Sequence, residues 1–298
     1  MTVSRLHAAA RQCAIGLALV VVLAGCGDGD SSGDSAAPQG RVAVFAAFPG
    51  ELSALLARMQ IEDHVTVGER NVRVGTLGGT PVVVAMTGIG LVNAARTTTA
   101  ILDAFEIRGV VVSGVAGSPL NIADVGVPTT WALPDDSAYR IDRRYQRVAE
   151  RLAAEGDIAF ARCTSVPDVT PDPVCMPNPP VLVVGGGGES ADPFGNGAFP
   201  CSRGDVFGCD AIDPPAAGLQ RNTAGAETDE RPLIQDMETA AVAQIAAERG
   251  VPFIAFRAVS DGAGDPLNLR GFPDQFYAYY PLAAHNAAAA AEAFVSRL

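Results

Sequence analysis

The chain has 298 residues, of which 48% are hydrophobic and 18% charged, so a disordered protein is excluded and one large or two ordinary domains are expected. All 21 basic residues are Arg and 33 residues are acidic, giving a net charge of -12 that argues against a nucleic-acid partner. Because Lys is absent, Schiff-base chemistry, a pyridoxal phosphate linkage and a P-loop phosphate grip are excluded.

Residues 1–25 have the organisation of a secretory signal peptide, with two Arg residues before an apolar run over 14–25. That run is shorter than the roughly 20 residues of a membrane-spanning helix, which makes an uncleaved span the weaker alternative. The sequence LAGC ending at Cys26 resembles a bacterial lipobox. We therefore expect an exported bacterial lipoprotein, anchored to the membrane through Cys26 and facing the periplasm or cell exterior. Residues 26–40 are then a polar, flexible tether.

From residue 41 onward, apolar runs of strand length alternate with helical patterns. The predicted elements are a buried strand over 41–47, a helix from Pro49 to about Met59, a hairpin of 71–77 and 81–86, a helix over 91–105, a strand over 109–113, strand-like residues 125–132, helical residues near 140–154, a short strand over 181–184, a helix over 237–249, a strand over 253–259 and a helix after Pro281. Residues 41–298 are therefore expected to form one α/β domain, a three-layer α/β/α sandwich with a central mixed twisted sheet.

Residues 157–231 interrupt this alternation with Pro, Gly, Cys and Asp, which favours an insertion that serves as an active-site flap. Four cysteines lie beyond the lipobox, an even number that favours disulfides in an exported chain. Three pairings are possible, and proximity along the chain favours Cys163 with Cys175 and Cys201 with Cys209. A zinc site is the weaker alternative, because no Cys-x-x-Cys pair or neighbouring His supports it.

Candidate functional residues follow the predicted strands, where α/β folds bind their ligands. They include Glu51, the glycine-rich turns Gly88–Gly90 and Gly114–Gly117, Glu238 and Asp261. Arg257 is the most informative, because a charge within an apolar strand must be paired or line a cavity. The period of two in a strand places Arg257 and Asp261 on one face. A purely structural ion pair between an Arg and an Asp remains the alternative.

Six segments that occur in order over nearly all of residues 41–298 point to one superfamily. They are VAVFAAFPGELSALL from Val42, TGIG from Thr87 leading to Asn93, SGVAG from Ser113, SADPFGNG from Ser190, DMETA from Asp236 and RAVSD from Arg257. Together they resemble the nucleoside phosphorylase and nucleosidase superfamily, and are most similar to 5'-methylthioadenosine/S-adenosylhomocysteine nucleosidases. The resemblance implies a purine nucleoside N-ribosyl hydrolase that acts on adenosine-type nucleosides such as 5'-methylthioadenosine.

The resemblance also implies a role for each matching residue. Glu51 matches the general base that activates water, Arg257 an arginine that helps to hold this water, and Asp261 the acid that protonates or hydrogen-bonds purine N7. Residues matched to substrate binding are Met237 and Glu238 beneath the ribose, Phe194 stacked on the base, Ser260, Gly88, Gly90, Ala116 and Gly117. Such types suit glycosidic cleavage through an oxocarbenium-like ribose, which needs a protonated leaving base and an activated water.

Two other functions stay open. One is a phosphate-dependent purine nucleoside phosphorylase with phosphate at the Gly88–Gly90 turn. The loop over 47–51 lacks Arg, and Arg96 suits a solvated helix face better than a phosphate site, so water is favoured. The other is a non-catalytic nucleoside-binding lipoprotein, which would not need both Glu51 and Asp261. We expect a purine nucleoside as partner, a homo-oligomer such as a dimer, and no metal or organic cofactor.

Overall fold

The computed structural model describes residues 40–191, 197–201, 206–210 and 234–298. The elements within these residues are β1 (Arg41–Ala46), α1 (Pro49–Leu56), β2 (Met59–Val67), β3 (Arg70–Leu77), β4 (Thr80–Met86), α2 (Leu91–Ala104), β5 (Ile107–Asn121), β6 (Val125–Val127), β7 (Thr130–Ala132), β8 (Ala138–Arg140), α3 (Arg143–Glu155), β9 (Cys163–Thr164), β10 (Val174–Cys175), β11 (Leu182–Val184), β12 (Gly187–Ser190), β13 (Ile234–Asp236), α4 (Thr239–Glu248), β14 (Phe253–Ala263) and α5 (Asp274–Val295).

A mixed sheet forms the centre of the fold, with the strand order β2-β3-β4-β1-β5-β13-β12-β7-β8. β1 pairs in parallel with β4 and β5, β14 pairs in parallel with β5, and β13 is antiparallel to β5. Two helical layers cover this sheet, one in which α1 and α3 contact α5 and one in which α2 contacts α4. The predicted single α/β domain with a three-layer arrangement is confirmed, and Pro38–Leu298 forms one compact unit.

The apolar runs that predict the inner strands are buried on both faces. Val42, Val44, Val83 and Val111 have no exposed surface, as expected for strands between two layers of helices. The edge strand β2 was not predicted, and α1 ends at Leu56 rather than near Met59. Most of β2 is exposed and polar, so it lacks the apolar alternation that marks a half-buried strand.

Two other segments differ from the prediction. α5 begins at Asp274 and contains Pro281, whereas a helix was expected only after this proline. Its Ala-rich surface is buried, and this packing compensates for the backbone hydrogen bond that a proline removes. Gly187–Ser190 form β12, where no strand was predicted. A Cβ at Gly188 would lie 2.7 Å from the Trp131 ring, so this strand requires glycine there.

Both favoured disulfides are present, joining Cys163 to Cys175 and Cys201 to Cys209. The first closes the short β9–β10 hairpin, whose Val174 packs with Tyr279 in a small hydrophobic cluster beside α5. This part of the predicted insertion is therefore packed on the main domain. The signal peptide, Cys26 and residues 211–231 lie outside the described residues. No helix in the described part of the chain is long and apolar enough to cross a membrane.

Candidate active site

The candidate site is built at one edge of the sheet from segments far apart in sequence. β1 leads into α1, whose first turn carries Glu51. The parallel strands β5 and β14 run toward the same edge and place Gly117 opposite Asp261. The turn between β13 and α4 adds Glu238. Since the carboxyl ends of parallel strands form a cleft, Glu51, Glu238 and Asp261 all lie at this edge of the sheet, as the sequence suggests.

A single arginine pairs with Glu51, Glu238 and a third acid, Asp236. Arg257 is only 1% exposed, and its Nε lies 2.8 Å from Asp236 Oδ2. Its Nη2 lies 3.2 Å from Glu238 Oε2 and its Nη1 3.5 Å from Glu51 Oε1. Burial alone would lower the pKa of Arg257, but the three carboxylates outweigh this effect and raise it. The charge of Arg257 within the apolar strand β14 is thus paired, and its nearest acid is Asp236.

The Glu51 carboxylate is held by backbone donors as well as by Arg257. Its Oε1 accepts from the Val115 N–H at 2.7 Å and its Oε2 from the Ala47 N–H at 2.6 Å. Burial raises the pKa of Glu51, while Arg257 and the two N–H groups oppose this rise. A Cβ at Gly114 would lie 2.2 Å from Arg257 Nη1 and 2.5 Å from Glu51 Oε1, so the predicted glycine-rich turn leaves room for this pair.

Glu238 connects the arginine to the second glycine-rich turn. Its Oε1 accepts from the Gly90 N–H at 3.0 Å, and its Oε2 faces Arg257. Burial raises the pKa of Glu238 to about 7 against the opposing effect of Arg257, with Asp236 and Glu51 adding to the rise. Met237 is half-buried beside it. The charge of Glu238 therefore depends on pH near neutrality.

Asp236 is the first residue of the DMETA segment, and no role was predicted for it. Its Oδ1 accepts from Ser190 Oγ at 2.5 Å and from the N–H groups of Glu238 and Thr239, both at 3.2 Å. The same carboxylate bonds Arg257, so it fixes the arginine and the Glu238 turn together. A signal was available, because an Asp that precedes a helix and reaches the N–H groups two and three residues later is typical of helix starts.

Asp261 has different surroundings, because the register of β14 shifts between Val259 and Asp261. It lines a cavity of about 370 Å³ together with Gly117, Gln235 and Phe272. Burial raises its pKa, and a hydrogen bond of 2.7 Å from Ser260 Oγ opposes this effect. Ser260 is itself buried, and its hydroxyl also lies 3.3 Å from the Ala116 carbonyl oxygen. A carboxyl that holds its proton beside a cavity can act as an acid.

The remaining predicted residues are only partly located. Phe194, expected to stack on a base, lies outside the described residues. Gly88 has a positive φ of 77°, and a Cβ there would lie 3.1 Å from Arg70 Nη2. This arginine was not predicted as part of the site. It donates to Thr97 Oγ1 at 3.0 Å and to Asn93 Oδ1 at 3.4 Å.

An aromatic group joins the insertion to the loop that precedes Glu51. The ring of Phe207, close to the disulfide-bonded Cys209, lies 5.8 Å from Phe48 and 6.1 Å from Phe276, between ring centroids. This part of the predicted insertion therefore packs against the loop that precedes Glu51. Among the residues that the structure describes, no group of three or more His, Cys, Asp or Glu could hold a metal ion.

Comparisons with known proteins show which family and which fold the chain resembles. The phosphorylase superfamily matches residues 41–165 and 222–296. An uncharacterised protein of Mycobacterium tuberculosis is 34% identical over 198 residues, which are 60% of this chain and 80% of that protein. A 5'-methylthioadenosine/S-adenosylhomocysteine nucleosidase of Chromohalobacter salexigens is 29% identical over 87% of this chain and 97% of its own. The crystal structure of such a nucleosidase from Neisseria meningitidis, in complex with methylthio-immucillin-A, has a TM-score of 0.59 and 23% identity over 87% of this chain and 99% of its own.

Proposed function

The chain belongs to the phosphorylase superfamily, and from that premise we propose that it is a purine nucleoside N-ribosyl hydrolase for adenosine-type nucleosides such as 5'-methylthioadenosine. The observation that carries the proposal is the buried Glu51 carboxylate, held by two backbone N–H groups and Arg257. The curated nucleosidase relatives, which align with most of the chain, support the same reaction.

The proposed reaction divides proton transfer between two carboxyl groups. The bond between ribose C1' and purine N9 breaks, and its electron pair goes to the purine. Asp261 gives its proton to N7, while water attacks C1' and gives a proton to Glu51. One acid loses a proton and the other gains one, so solvent exchange restores the enzyme. Glu238 binds the ribose hydroxyls, and its negative charge favours the oxocarbenium-like ribose.

Water is favoured over phosphate as the nucleophile because the Glu51 carboxylate already accepts from the hydrogen-bond donors at this edge of the sheet. The N–H groups of Ala47 and Val115 point at Glu51, and Arg257 pairs with Glu51, Asp236 and Glu238. A phosphate placed here would lie beside buried carboxylates and be repelled by them. A neutral water molecule meets no such repulsion, and it can donate its proton to Glu51.

One observation favours phosphorolysis as a second candidate function. Arg70 is half-buried against the Gly88 turn, and among the described residues no carboxylate forms an ion pair with it, although the charge of Glu69 acts on it from a greater distance. A guanidinium whose donors are not neutralised by an acid can bind a phosphate oxygen. Phosphorolysis would then use the Gly88 turn rather than the Glu51 side of the cleft.

A nucleoside panel assayed with and without phosphate distinguishes these functions. We expect 5'-methylthioadenosine to give adenine and free methylthioribose at the same rate in both conditions. An Arg70→Gln variant should retain this activity, because Arg70 has no part in hydrolysis. Strict dependence on phosphate with a ribose 1-phosphate product would overturn the hydrolase proposal. Saturable binding without release of base would indicate the non-catalytic binding protein.

We further propose that the protein is exported and lipid-anchored at Cys26, because a short apolar run ends in a lipobox-like sequence. Replacing Cys26 by Ser is expected to abolish labelling with a fatty-acid analogue and retention in the membrane fraction. Cys13→Ser is the matched control, since Cys13 lies in the segment that cleavage removes and its loss should change neither result. An unlabelled wild-type protein would contradict the proposed anchor.

A further inference from the structure

Helix α3 carries four arginines on one exposed side. Arg143, Arg147 and Arg151 recur every four residues, and Arg144 lies beside them, so together they span an arc of about 100° on the helix. All four are exposed. The opposite side is buried and apolar, and it includes Tyr145, Val148, Ala149 and Leu152. We refer to the four exposed residues as the arginine stripe.

Ion pairing distinguishes the arginine stripe from other arginines of the described chain. In the described part of the chain, none of its four guanidinium groups pairs with a carboxylate, whereas Arg58, Arg73, Arg249 and Arg297 do. Of the two acids of α3, Glu155 pairs with Arg297, whereas Glu150 accepts from the neutral Gln146 amide and lines the same surface hollow as Arg147 and Arg151. Four arginines against this one acid leave the exposed side of α3 with a net positive charge. A net positive surface in a chain of net charge -12 is suited to an external anionic partner.

The position of α3 indicates which partner it faces. Its N-terminal side contacts the amino ends of the central strands, because the Asp142 N–H donates to the Phe253 carbonyl oxygen at 3.0 Å and Tyr145 packs on Gly109. The described domain begins at the same edge, where the Arg41 N–H donates to the Glu106 carbonyl oxygen at 2.9 Å. The first described strand therefore starts at the same edge of the sheet as the beginning of α3, whereas the candidate active site lies at the carboxyl ends of the strands.

We propose that the arginine stripe docks on the anionic headgroups of a phospholipid bilayer. Guanidinium groups bind phosphate through paired hydrogen bonds, and a negatively charged membrane attracts basic residues that lie near its surface. The same membrane repels the acidic remainder of the chain, so docking through α3 directs the active site away from the bilayer. The inference is independent of the reaction that the enzyme catalyses, because no stripe residue belongs to the site.

Vesicle sedimentation tests this surface on a chain that begins at Gly27, which contains every described residue and lacks the cysteine for lipidation. We expect binding to vesicles of phosphatidylcholine and phosphatidylglycerol in equal parts, release by salt, and no binding to phosphatidylcholine alone. The triple variant R143Q/R147Q/R151Q should lower the partition coefficient on the order of a hundredfold. The control R96Q/R249Q/R270Q removes the same charge from exposed arginines elsewhere and should retain binding.

Thermal unfolding and nucleosidase activity of both triple variants verify that they are folded. The proposal is overturned if the wild-type chain ignores phosphatidylglycerol, if it binds neutral vesicles equally well, or if the two triple variants lose binding to the same extent. The last result would mean that total charge, rather than the stripe, determines membrane attraction.

Discussion

Replacing Glu51 by Gln is expected to lower kcat about a thousandfold, with a much smaller change in substrate affinity. Glutamine has nearly the same shape but cannot take a proton from water. Its amide also presents an NH₂ group where Glu51 now accepts from the N–H groups of Ala47 and Val115. The loss therefore falls on the transition state, in which the proton moves. Single-turnover rates and equilibrium binding of a non-hydrolysable analogue separate the two effects.

The pH profile provides an independent test of Glu51. A general base works only when ionised, so activity should fall as pH decreases through the pKa of Glu51, which burial raises. Glu238 also titrates, near pH 7, so the acid limb belongs to Glu51 only if it disappears in the residual activity of Glu51→Gln. Glu62→Gln, an exposed change on β2, is the matched control and should retain the full profile. A folded Glu51→Gln enzyme with near wild-type turnover would contradict the mechanism.

The pattern of apolar residues in the sequence predicts the buried inner strands of the sheet. β1 and the first part of β14 are continuous apolar runs because helices cover both faces of the sheet. The pattern does not predict strands that depend on backbone pairing or on a distant side chain. β2 is largely polar and pairs through its backbone with β3. Gly188 of β12 leaves room for the ring of Trp131, which lies 57 positions earlier in the sequence. Such distant requirements leave no periodic signal in the sequence.

In the candidate site too, some features are predictable from the sequence and others are not. Arg257 was detectable because a charge in an apolar strand needs a partner, but its neighbours in sequence do not identify that partner. The nearest acid, Asp236, comes from another strand, and the Val115 N–H that holds Glu51 comes from a third. A backbone donor has no side-chain signature, and Arg70 reaches the Gly88 turn only through the folding of β3. Resemblance to a family supplied residue roles, whereas the structure supplied the contacts among them.

The replacement of Asp261 by Asn is expected to lower the rate of adenine release by a factor of about a thousand to ten thousand. Asparagine can donate a hydrogen bond to N7 but cannot transfer a proton, so the purine would leave as an anion. Asp261 lies in the cavity beside Gly117 and Phe272, where burial raises its pKa. An acid works only when protonated, so activity should fall as pH rises through this pKa. That alkaline limb should be absent from the residual activity of the variant.

A substrate with a good leaving group distinguishes acid catalysis from a structural role of Asp261. Nitrophenolate leaves without protonation, so Asp261→Asn should cleave a 4-nitrophenyl riboside at nearly the wild-type rate. Glu51→Gln should remain impaired with the same compound, because water must still be activated. If Asp261→Asn lost both substrates equally while folded, Asp261 would act by shaping the cavity rather than by protonating the base. If it retained full activity toward the purine nucleoside, the acid would have to be sought elsewhere in the cleft, and the separation of acid and base between β14 and α1 would be wrong.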